Sequence, residues 1–184
     1  MLFGRAELER LGGWPVVQDV LAEDYVFGSH LASEGGLVLT SRHTVDTVNV
    51  RWSLPRFFNR HLRWCQMRRW ISPLAFVAEP LLNPTPFALA LLPTRLYALG
   101  LAVLGLKLVG DALLARRLRR SWYPPWSYVL IPLKDVVFLG LWLVAAFRRR
   151  VTWRGNALWI GPGSALLDPD EGDEHAARPV PVPR

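Results

Sequence analysis

Three long apolar segments between residues 73 and 147 constrain the fold of this chain more than any other feature. The middle segment, residues 94–115, is long enough to cross a hydrocarbon core of roughly 30 Å, at about 1.5 Å of rise per residue. The flanking segments, residues 73–92 and 126–147, contain prolines and charged side chains, which interrupt a uniform spanning helix. With 51% hydrophobic residues over 184 positions, the chain is predicted to be an integral membrane protein.

Arginines lie in blocks beside these segments, as they do in cytoplasmic loops under the positive-inside rule. Blocks precede the first segment and follow the second and third, at residues 116–120 and 148–150. They cannot all face the cytoplasm if all three segments cross. One of the two interrupted segments is therefore expected to be re-entrant or interfacial, and the last is favoured. The same blocks account for the net charge of +7, so no nucleic-acid partner is predicted.

The basic residues are almost all arginine, and lysine occurs only at Lys107 and Lys134. This bias is typical of a GC-rich bacterial genome, which suggests the bacterial inner membrane. The single cysteine, Cys65, permits no intramolecular disulfide, as suits a cytoplasmic catalytic face.

An arginine-rich stretch, residues 53–70, is predicted to be an amphipathic helix at the membrane interface, with Ser53 as its N-cap. Spacings of three and four residues place Arg60, Arg63 and Trp64 on one face. Guanidinium groups match pairs of phosphate oxygens, and an indole stacks on a base or sugar, so this face predicts a diphosphate site. Spacing alone also allows a solvated helix face attracted to anionic lipid.

Residues 1–52 are predicted to form a small α/β unit. Helices are expected at residues 6–11 and 23–33, each followed by a pair of glycines. Residues 37–40 and 43–50 have the pattern of short strands. Such a unit buries too little apolar surface to be stable without further strands to pair with.

The C-terminal residues form two further regions. Residues 149–167 are predicted to be a cytoplasmic hairpin that returns to the interface. Residues 168–184 are acidic and then proline-rich, which predicts a disordered tail.

Several motifs occur in series along the chain: Leu8 to Gly13, Glu23-Asp24, the RxxRW sequence from Arg60 to Trp64, Glu79-Pro80, and Thr152 to Gly155. This series, combined with membrane segments, resembles the C-terminal half of the membrane-bound glycosyltransferases of the family 2 and family 21 type. It is most similar to the ceramide glucosyltransferases and the hopanoid-associated glycosyltransferases of bacteria. The resemblance runs from the first residues to about residue 166.

The resemblance implies an α+β membrane protein. Residues 1–52 would be the acceptor-side, C-terminal part of an incomplete GT-A-type α/β catalytic domain, and residues 71–148 a mostly helical region of transmembrane or re-entrant segments. The resembling enzymes also carry an earlier membrane anchor and a nucleotide-sugar half with a DxD-type metal site. This chain has neither, so its 184 residues alone are expected to be inactive.

The activity that the resemblance implies is inverting transfer of a sugar to a lipid hydroxyl, such as that of ceramide or a hopanoid. The donor would be UDP-glucose or a UDP-N-acetylhexosamine. Asp24 would be the general base, with Glu23 beside it, and Arg60, Arg63 and Trp64 would hold the departing diphosphate. A lone pair of acids at this position would instead be first-turn residues stabilised by the helix dipole.

Two further residues are candidates for the acceptor side. Glu79 lies within an apolar segment, where a carboxylate usually faces a cavity or a partner. It would either line the acceptor's path, or extend to the interface, or pair with Arg68 or Arg69. Arg154 would either pair with Asp135 or meet the polar head of the acceptor.

No cofactor is predicted to bind this chain, and Mg²⁺ or Mn²⁺ is expected in the complete enzyme. The implied partners are a nucleotide sugar, a lipid acceptor and the bilayer. The rival hypothesis is a non-catalytic small membrane scaffold, or a lipid-binding remnant of such an enzyme. The sequence does not discriminate between acceptor lipids.

Overall fold

The computed structural model describes residues 3–41, 43, 45, 47–48, 50–153 and 155–168. The described residues form seven α-helices and one small antiparallel sheet, so the protein is mostly helical with α+β composition. The helices are α1 (Arg5–Arg10), α2 (Glu23–Ser33), α3 (Leu54–Ile71), α4 (Pro73–Ala78), α5 (Pro84–Leu91), α6 (Tyr97–Arg119) and α7 (Leu130–Phe147). The strands are β1 (Arg150–Trp153), β2 (Asn156–Ile160) and β3 (Leu166–Leu167), in the order β1-β2-β3.

The N-terminal unit consists of α1, α2 and the turn between them. Its core is formed by Leu11, Val17, Val20, Val26 and Phe27, all of which are buried. Glycines follow both helices, as predicted, with the residues at 12 and 35 in the left-handed region at φ +89° and +80°.

The strand predicted at residues 37–40 is wrong, because these residues belong to no strand. The strand predicted at residues 43–50 lies partly outside the described residues, and those described there, at 43, 45, 47–48 and 50, pair with no strand. Leu37 and Leu39 are each 78% exposed, because no neighbouring strand offers a backbone ladder or an apolar face to cover them. No strand of a GT-A-type sheet therefore lies among the described residues of 3–52.

Helix α3 begins where its capping signal predicts. Ser53 is the N-cap, and its hydroxyl accepts a hydrogen bond from the Arg56 N–H at 3.4 Å. The helix buries Cys65, which packs in a cluster with Leu141 and Ala145 of α7. Packing against α7 therefore fixes which face of α3 remains exposed.

Three helical segments are long and apolar enough to cross a membrane: Pro73–Leu91, Tyr97–Arg119 and Pro125–Phe147. The first is broken as its prolines predict, because a 3₁₀ turn at Glu79–Leu82 separates α4 from α5. Helix α6 begins later than predicted and continues through the arginine block. Arginine is a good helix former and is favoured at the negative end of the helix dipole, so α6 ends only at Arg119, and its C-cap, Arg120, adopts φ +60°.

The sheet joins the C-terminal residues to the N-terminal unit. Strands β1 and β2 form an antiparallel hairpin, with Gly155 at φ +90° in its turn, and β3 pairs with β2. The Leu21 N–H donates to the Ser164 carbonyl at 2.9 Å, and Val20 bridges Ala165. This third strand and its link to the N-terminal unit have no local signal in the sequence.

Candidate functional site

The first guanidinium of the RxxRW motif lies against two indole rings. The Arg60 Cζ atom lies 4.6 Å from the centroid of the Trp64 ring, one helical turn away, and 5.1 Å from that of Trp52. Rings that cover the faces of a guanidinium leave its in-plane N–H donors available to an anion. The predicted neighbourhood of Arg60 and Trp64 is present in the structure, and Trp52 adds a second ring.

The second guanidinium of the motif, that of Arg63, is covered by an indole from the hairpin. Its Cζ atom lies 4.4 Å from the centroid of the Trp153 ring, at the end of β1. Burial lowers the pKa of Arg63, and repulsion from the nearby Arg60 charge lowers the same pKa further. Two neighbouring cations that repel each other are stabilised by an anion between them. Among the described residues, neither guanidinium has a carboxylate within 4.0 Å.

The buried side of α3 holds this pair in place. Gln66 is 1% exposed, and its Nε2 donates to the carbonyls of Arg148 at 2.9 Å and Arg150 at 3.1 Å. Arg69 donates from Nη1 to the Ala145 carbonyl at 3.1 Å. These bonds tie α3 to the end of α7 and the start of β1, so the Trp153 ring is brought back over the arginine face.

Cys65 lies on the same buried side, where it serves packing. Burial raises the pKa of its thiol, so the thiol stays neutral at physiological pH. Besides its packing in the α3, α4 and α7 cluster, its Sγ atom accepts a hydrogen bond from Arg68 Nη2 at 3.3 Å.

The acidic pair occupies the exposed first turn of α2. Glu23 and Asp24 are both exposed, and Asp24 Oδ1 accepts a hydrogen bond from the Tyr25 N–H at 2.8 Å. The residue before them is fixed, because the buried Ala22 N–H donates to Ser164 Oγ at 3.1 Å. The start of α2 is therefore attached to the segment between β2 and β3, which also packs on α3.

Glu79 forms an ion pair with α3. Its two carboxylate oxygens accept from Arg68, with Nε to Oε2 at 2.9 Å and Nη2 to Oε1 at 2.8 Å. A pairing with Arg68 is one of the alternatives predicted for Glu79, beside extension to the interface and a role in the acceptor's path. Glu79 also lines an open groove of about 320 Å³, which has both polar and apolar walls that include Asn83 and Trp142, so the ion pair leaves it beside a cavity.

A cluster of polar and charged side chains lies near the middle of the apolar helices. Asp135 is 6% exposed and accepts a hydrogen bond from the Thr85 hydroxyl at 2.5 Å. The Lys107 ammonium lies 3.5 Å from Asp135 and also pairs with Asp111, as the spacing along α6 predicts. Lys134 lies 3.4 Å from Asp135 on the other side. Partners of this kind are what make charges tolerable at membrane depth.

Arg154, the remaining candidate, lies outside the described residues. Its proposed partner Asp135 is already paired within the described part of the chain, by the two lysines and the threonine of the cluster.

Three residues of the site were missed in the sequence. Trp52 and Trp153 cover the two arginines, and Ser164 holds the segment before Asp24. Trp153 has a weak signal, because it belongs to the motif that ends at Gly155. Ser164 has no signal at the level of spacing, since its contacts depend on how distant segments pack. Trp52 directly precedes the N-cap of α3, and helical spacing does not extend to it.

A metal site needs several ligand side chains close together, and the described part of the chain has no such group. No group of three or more His, Cys, Asp or Glu side chains is placed there to hold a metal ion.

Comparisons with known proteins indicate the family to which the chain is similar. Residues 1–166 match the family model of glycosyl transferase family 21. Ceramide glucosyltransferase 3 of Caenorhabditis elegans is 24% identical over 172 residues, which cover 88% of this chain and 38% of that protein. Ceramide glucosyltransferase 1 of the same organism is 34% identical over 77 residues, covering 42% of this chain and 16% of that protein. The chain thus spans less than two fifths of the length of these curated relatives. No solved structure matches it.

Proposed function

The chain belongs to glycosyl transferase family 21, and from this membership we propose that it provides the acceptor side of an inverting sugar transfer to a membrane lipid. The proposed donor is a nucleotide sugar, UDP-glucose or a UDP-N-acetylhexosamine. The proposed acceptor is a lipid hydroxyl, with ceramide favoured by the names of the relatives and a hopanoid as the alternative. The observation that carries the proposal is the pair of ring-covered guanidinium groups at Arg60 and Arg63.

These two arginines would bind the diphosphate of the leaving nucleotide. Negative charge develops on the leaving group as the bond from the sugar to the diphosphate breaks, and preorganised cations stabilise that charge. The Trp52, Trp64 and Trp153 rings fix the guanidinium planes before the donor binds. The repulsion that lowers the pKa of Arg63 is relieved when the anion arrives, which favours binding of the departing diphosphate.

Asp24 would take the proton from the acceptor hydroxyl as that oxygen attacks the anomeric carbon. Its exposed carboxylate lies at the start of α2, where Ser164 fixes the preceding backbone. Glu23 would be its neighbour on the acceptor side. Glu79 and Arg154 remain proposed acceptor-side residues.

A divalent metal, Mg²⁺ or Mn²⁺, is proposed to assist the departure of the diphosphate in the complete enzyme. The described residues include no acidic set suited to it, so its ligands would come from elsewhere. The proposed location is the bacterial inner membrane, with the catalytic face in the cytoplasm.

The diphosphate role is tested by Arg63→Lys, which keeps the charge but removes the planar pair of donors and the stacking on Trp153. The assay measures sugar transfer to ceramide in membranes, with the donor-binding half of a relative co-expressed; the 184 residues alone are expected to give no transfer. We expect a loss of about tenfold to a thousandfold, the range seen when a charge-stabilising donor is removed. Arg56→Lys, at an exposed position in the first turn of α3, is the matched control.

The base role is tested by Asp24→Asn, which keeps the size of the side chain and removes the carboxylate. Transfer should fall by roughly two to four orders of magnitude, whereas UDP-sugar binding should persist. Asp19→Asn, at another exposed aspartate of the same unit, should retain activity.

The second candidate function is a non-catalytic lipid-binding scaffold, favoured by the number of exposed arginines beside apolar helices. On that hypothesis Arg63→Lys changes little, because lysine attracts anionic lipid as well as arginine does. Full transfer by both variants at normal protein levels would contradict the catalytic roles.

A further inference from the structure

A second pair of arginines with aromatic partners lies at the C-terminal end of α6. The Arg116 Cζ atom lies 4.6 Å from the centroid of the Trp122 ring, and the Arg119 Cζ atom lies 4.4 Å from that of the Tyr123 ring. The two arginines are one helical turn apart, so they project from the same side of α6. A guanidinium whose face lies on a ring keeps its in-plane N–H donors for an anion. This end of α6 therefore suits a phosphate group.

An apolar groove of about 610 Å³ begins at the same place and runs between α6 and the start of α7. Arg119 and Tyr123 line one end of it. Its walls are apolar side chains of the two helices: Leu114, Ala115, Leu118, Leu130 and Ile131. Leu114 and Leu118 are 55% and 50% exposed, so the described part of the chain leaves these walls half uncovered. In a bilayer, the apolar group available to cover them is an acyl chain.

The opposite end of the groove carries charges that are already balanced. Asp111 lines that end and pairs with Lys107, and Lys134, which also lines it, lies 3.4 Å from Asp135. At the arginine end, in contrast, no carboxylate among the described residues lies within 4.0 Å of the Arg116 guanidinium. An anionic head is therefore favoured at the arginine end and not at the other.

The arginine end also lies where lipid headgroups are expected. Helix α6 is long and apolar enough to cross a membrane, and arginines followed by tryptophan and tyrosine are typical of the membrane interface. Basic pockets between membrane helices bind the heads of anionic lipids. The charge of this end therefore favours an anionic phospholipid over a neutral or zwitterionic lipid.

We propose that Arg116 and Arg119 bind the phosphate of an anionic phospholipid of the phosphatidylglycerol class, and that the groove holds one of its acyl chains. The chain would run from Tyr123 towards Lys134, along about 12 Å of α6 at about 1.5 Å per residue. The lipid would fill the space between two helices that both pack against α5. This site is independent of the proposed sugar transfer and of the arginines of α3.

The test uses photo-crosslinking of the 184-residue chain in phosphatidylcholine nanodiscs that contain a small fraction of probe lipid. The probe is a phosphatidylglycerol with a diazirine in one acyl chain, and the comparison probe is a phosphatidylcholine with the same chain. Labelled residues are located by mass spectrometry. We expect labels near Leu114 and Ile131 that are severalfold stronger with the phosphatidylglycerol probe. Unlabelled phosphatidylglycerol should displace the probe, whereas inorganic phosphate should do no more than chloride of the same ionic strength.

One pair of variants tests the head of the lipid. Arg116→Gln combined with Arg119→Gln should lower labelling by the phosphatidylglycerol probe to the level of the phosphatidylcholine probe. Arg117→Gln combined with Arg120→Gln removes the same charge from the same block, at positions that neither line the groove nor lie against the two rings. This control should keep the preference for phosphatidylglycerol.

A second pair of variants tests the acyl chain. Leu114→Trp fills the groove and should lower labelling severalfold. Leu113→Trp adds the same ring at the adjacent position, which is 56% exposed and does not line the groove, and should leave labelling unchanged. Thermal unfolding identifies any variant that does not fold, in which case the other pair decides.

Equal labelling by the two probes would show an ordinary bilayer contact and would overturn the proposal. An equal loss of the preference in both arginine double variants would show diffuse attraction to the basic block, which would also overturn it. Displacement by inorganic phosphate would show a site for free phosphate instead. Displacement by unlabelled ceramide but not by unlabelled phosphatidylglycerol would assign the groove to a neutral lipid and would equally overturn the proposal.

Discussion

At the scale of single residues, the arginine face depends on side chains that point away from it. Gln66 is the clearest case, because a fully buried amide joins α3 to two backbone carbonyls at the junction of α7 and β1. His61 is a second case. Its ring lies among Phe57, Trp64 and Phe138, on the side of α3 that faces α7.

Gln66→Leu should destabilise the protein by about 1–3 kcal/mol. The substitution preserves much of the volume but leaves the carbonyls of Arg148 and Arg150 without this donor in a buried place. The measurement is thermal unfolding in detergent, with Gln18→Leu at an exposed position as the control. An unchanged unfolding temperature would show that the two carbonyls find other donors.

The stability of the protein should fall in mild acid, and His61 should be one cause. Burial lowers the pKa of His61, and the charges of Arg60 and Arg68 lower it further. The folded state therefore binds fewer protons than the unfolded state, so stability falls as the pH drops below the unfolded value of about 6.5. The loss levels off below the folded pKa.

His61→Phe keeps an aromatic ring in the pocket and removes the titration. We expect its unfolding temperature to depend less on pH between 8 and 5 than that of the unchanged protein. His30→Gln, at a ring that lies beside Glu34, should keep the pH dependence attributed to His61. Parallel pH curves for His61→Phe and the unchanged protein would contradict this assignment.

At the scale of elements, the packing of α3 bears on how the chain meets the membrane. The His61 ring lies 4.9 Å from that of Phe138, and Arg69 donates to the Ala145 carbonyl, so α3 runs along the second half of α7. An arginine at the bilayer centre costs roughly 2.5–3.5 kcal/mol or more, which keeps α3 at the interface. The second half of α7 is then expected at the same depth.

The topological prediction is that α7 does not cross the membrane. Reporter fusions after Arg120 and after Leu167 should both report the cytoplasm, because two crossings by the first two apolar segments return the chain to its starting side. A fusion after Pro93, in the connection between α5 and α6, should report the opposite side. An external signal at Leu167 would mean that all three segments cross.

Elements with local signals could be predicted from the sequence. Ser53 predicts the start of α3, and glycine pairs predict the ends of α1 and α2. These predictions succeed because a helix cap depends only on residues that are close in sequence. The pattern of residues 37–40 could not show whether a strand forms there, because a strand is stable only when it pairs with a neighbouring strand. β3 was missed for the converse reason, as two residues acquire strand geometry only by pairing with β2.

The contacts of the candidate site are likewise of two kinds, local contacts that the sequence predicts and contacts that it does not. The neighbourhood of Arg60 and Trp64 follows from helical spacing alone. The ring of Trp153 reaches Arg63 only because the hairpin folds back onto α3, which is a consequence of tertiary packing. The ring of Trp52 reaches Arg60 from the residue before the N-cap of α3. Spacing therefore predicted Trp64 on the helix face but not the two rings from outside the helix.

At the scale of the whole molecule, one small connection joins the N-terminal unit to the rest. Leu21 packs with Val151 and Ile160 of the sheet, and Ser164 contributes both its carbonyl and its hydroxyl to the backbone of residues 21 and 22. Ser164 is completely buried and adopts φ +64°. The position of Asp24 relative to the arginine face depends on this connection.

Ser164→Gly should loosen the N-terminal unit without disturbing the membrane helices. Glycine adopts the left-handed backbone of this position without strain, so the change isolates the hydroxyl, whose loss leaves the buried Ala22 N–H without its acceptor. Hydrogen exchange should become faster in α2, whereas α6 should keep its protection, because α6 contributes nothing to the cluster around Leu21. Ser33→Gly, whose hydroxyl bonds locally to the His30 carbonyl at the exposed end of α2, is the control. Faster exchange in α6 as well would show that the N-terminal unit and the helices unfold together, and unchanged exchange in α2 would show that the Ser164 hydroxyl does not hold the unit.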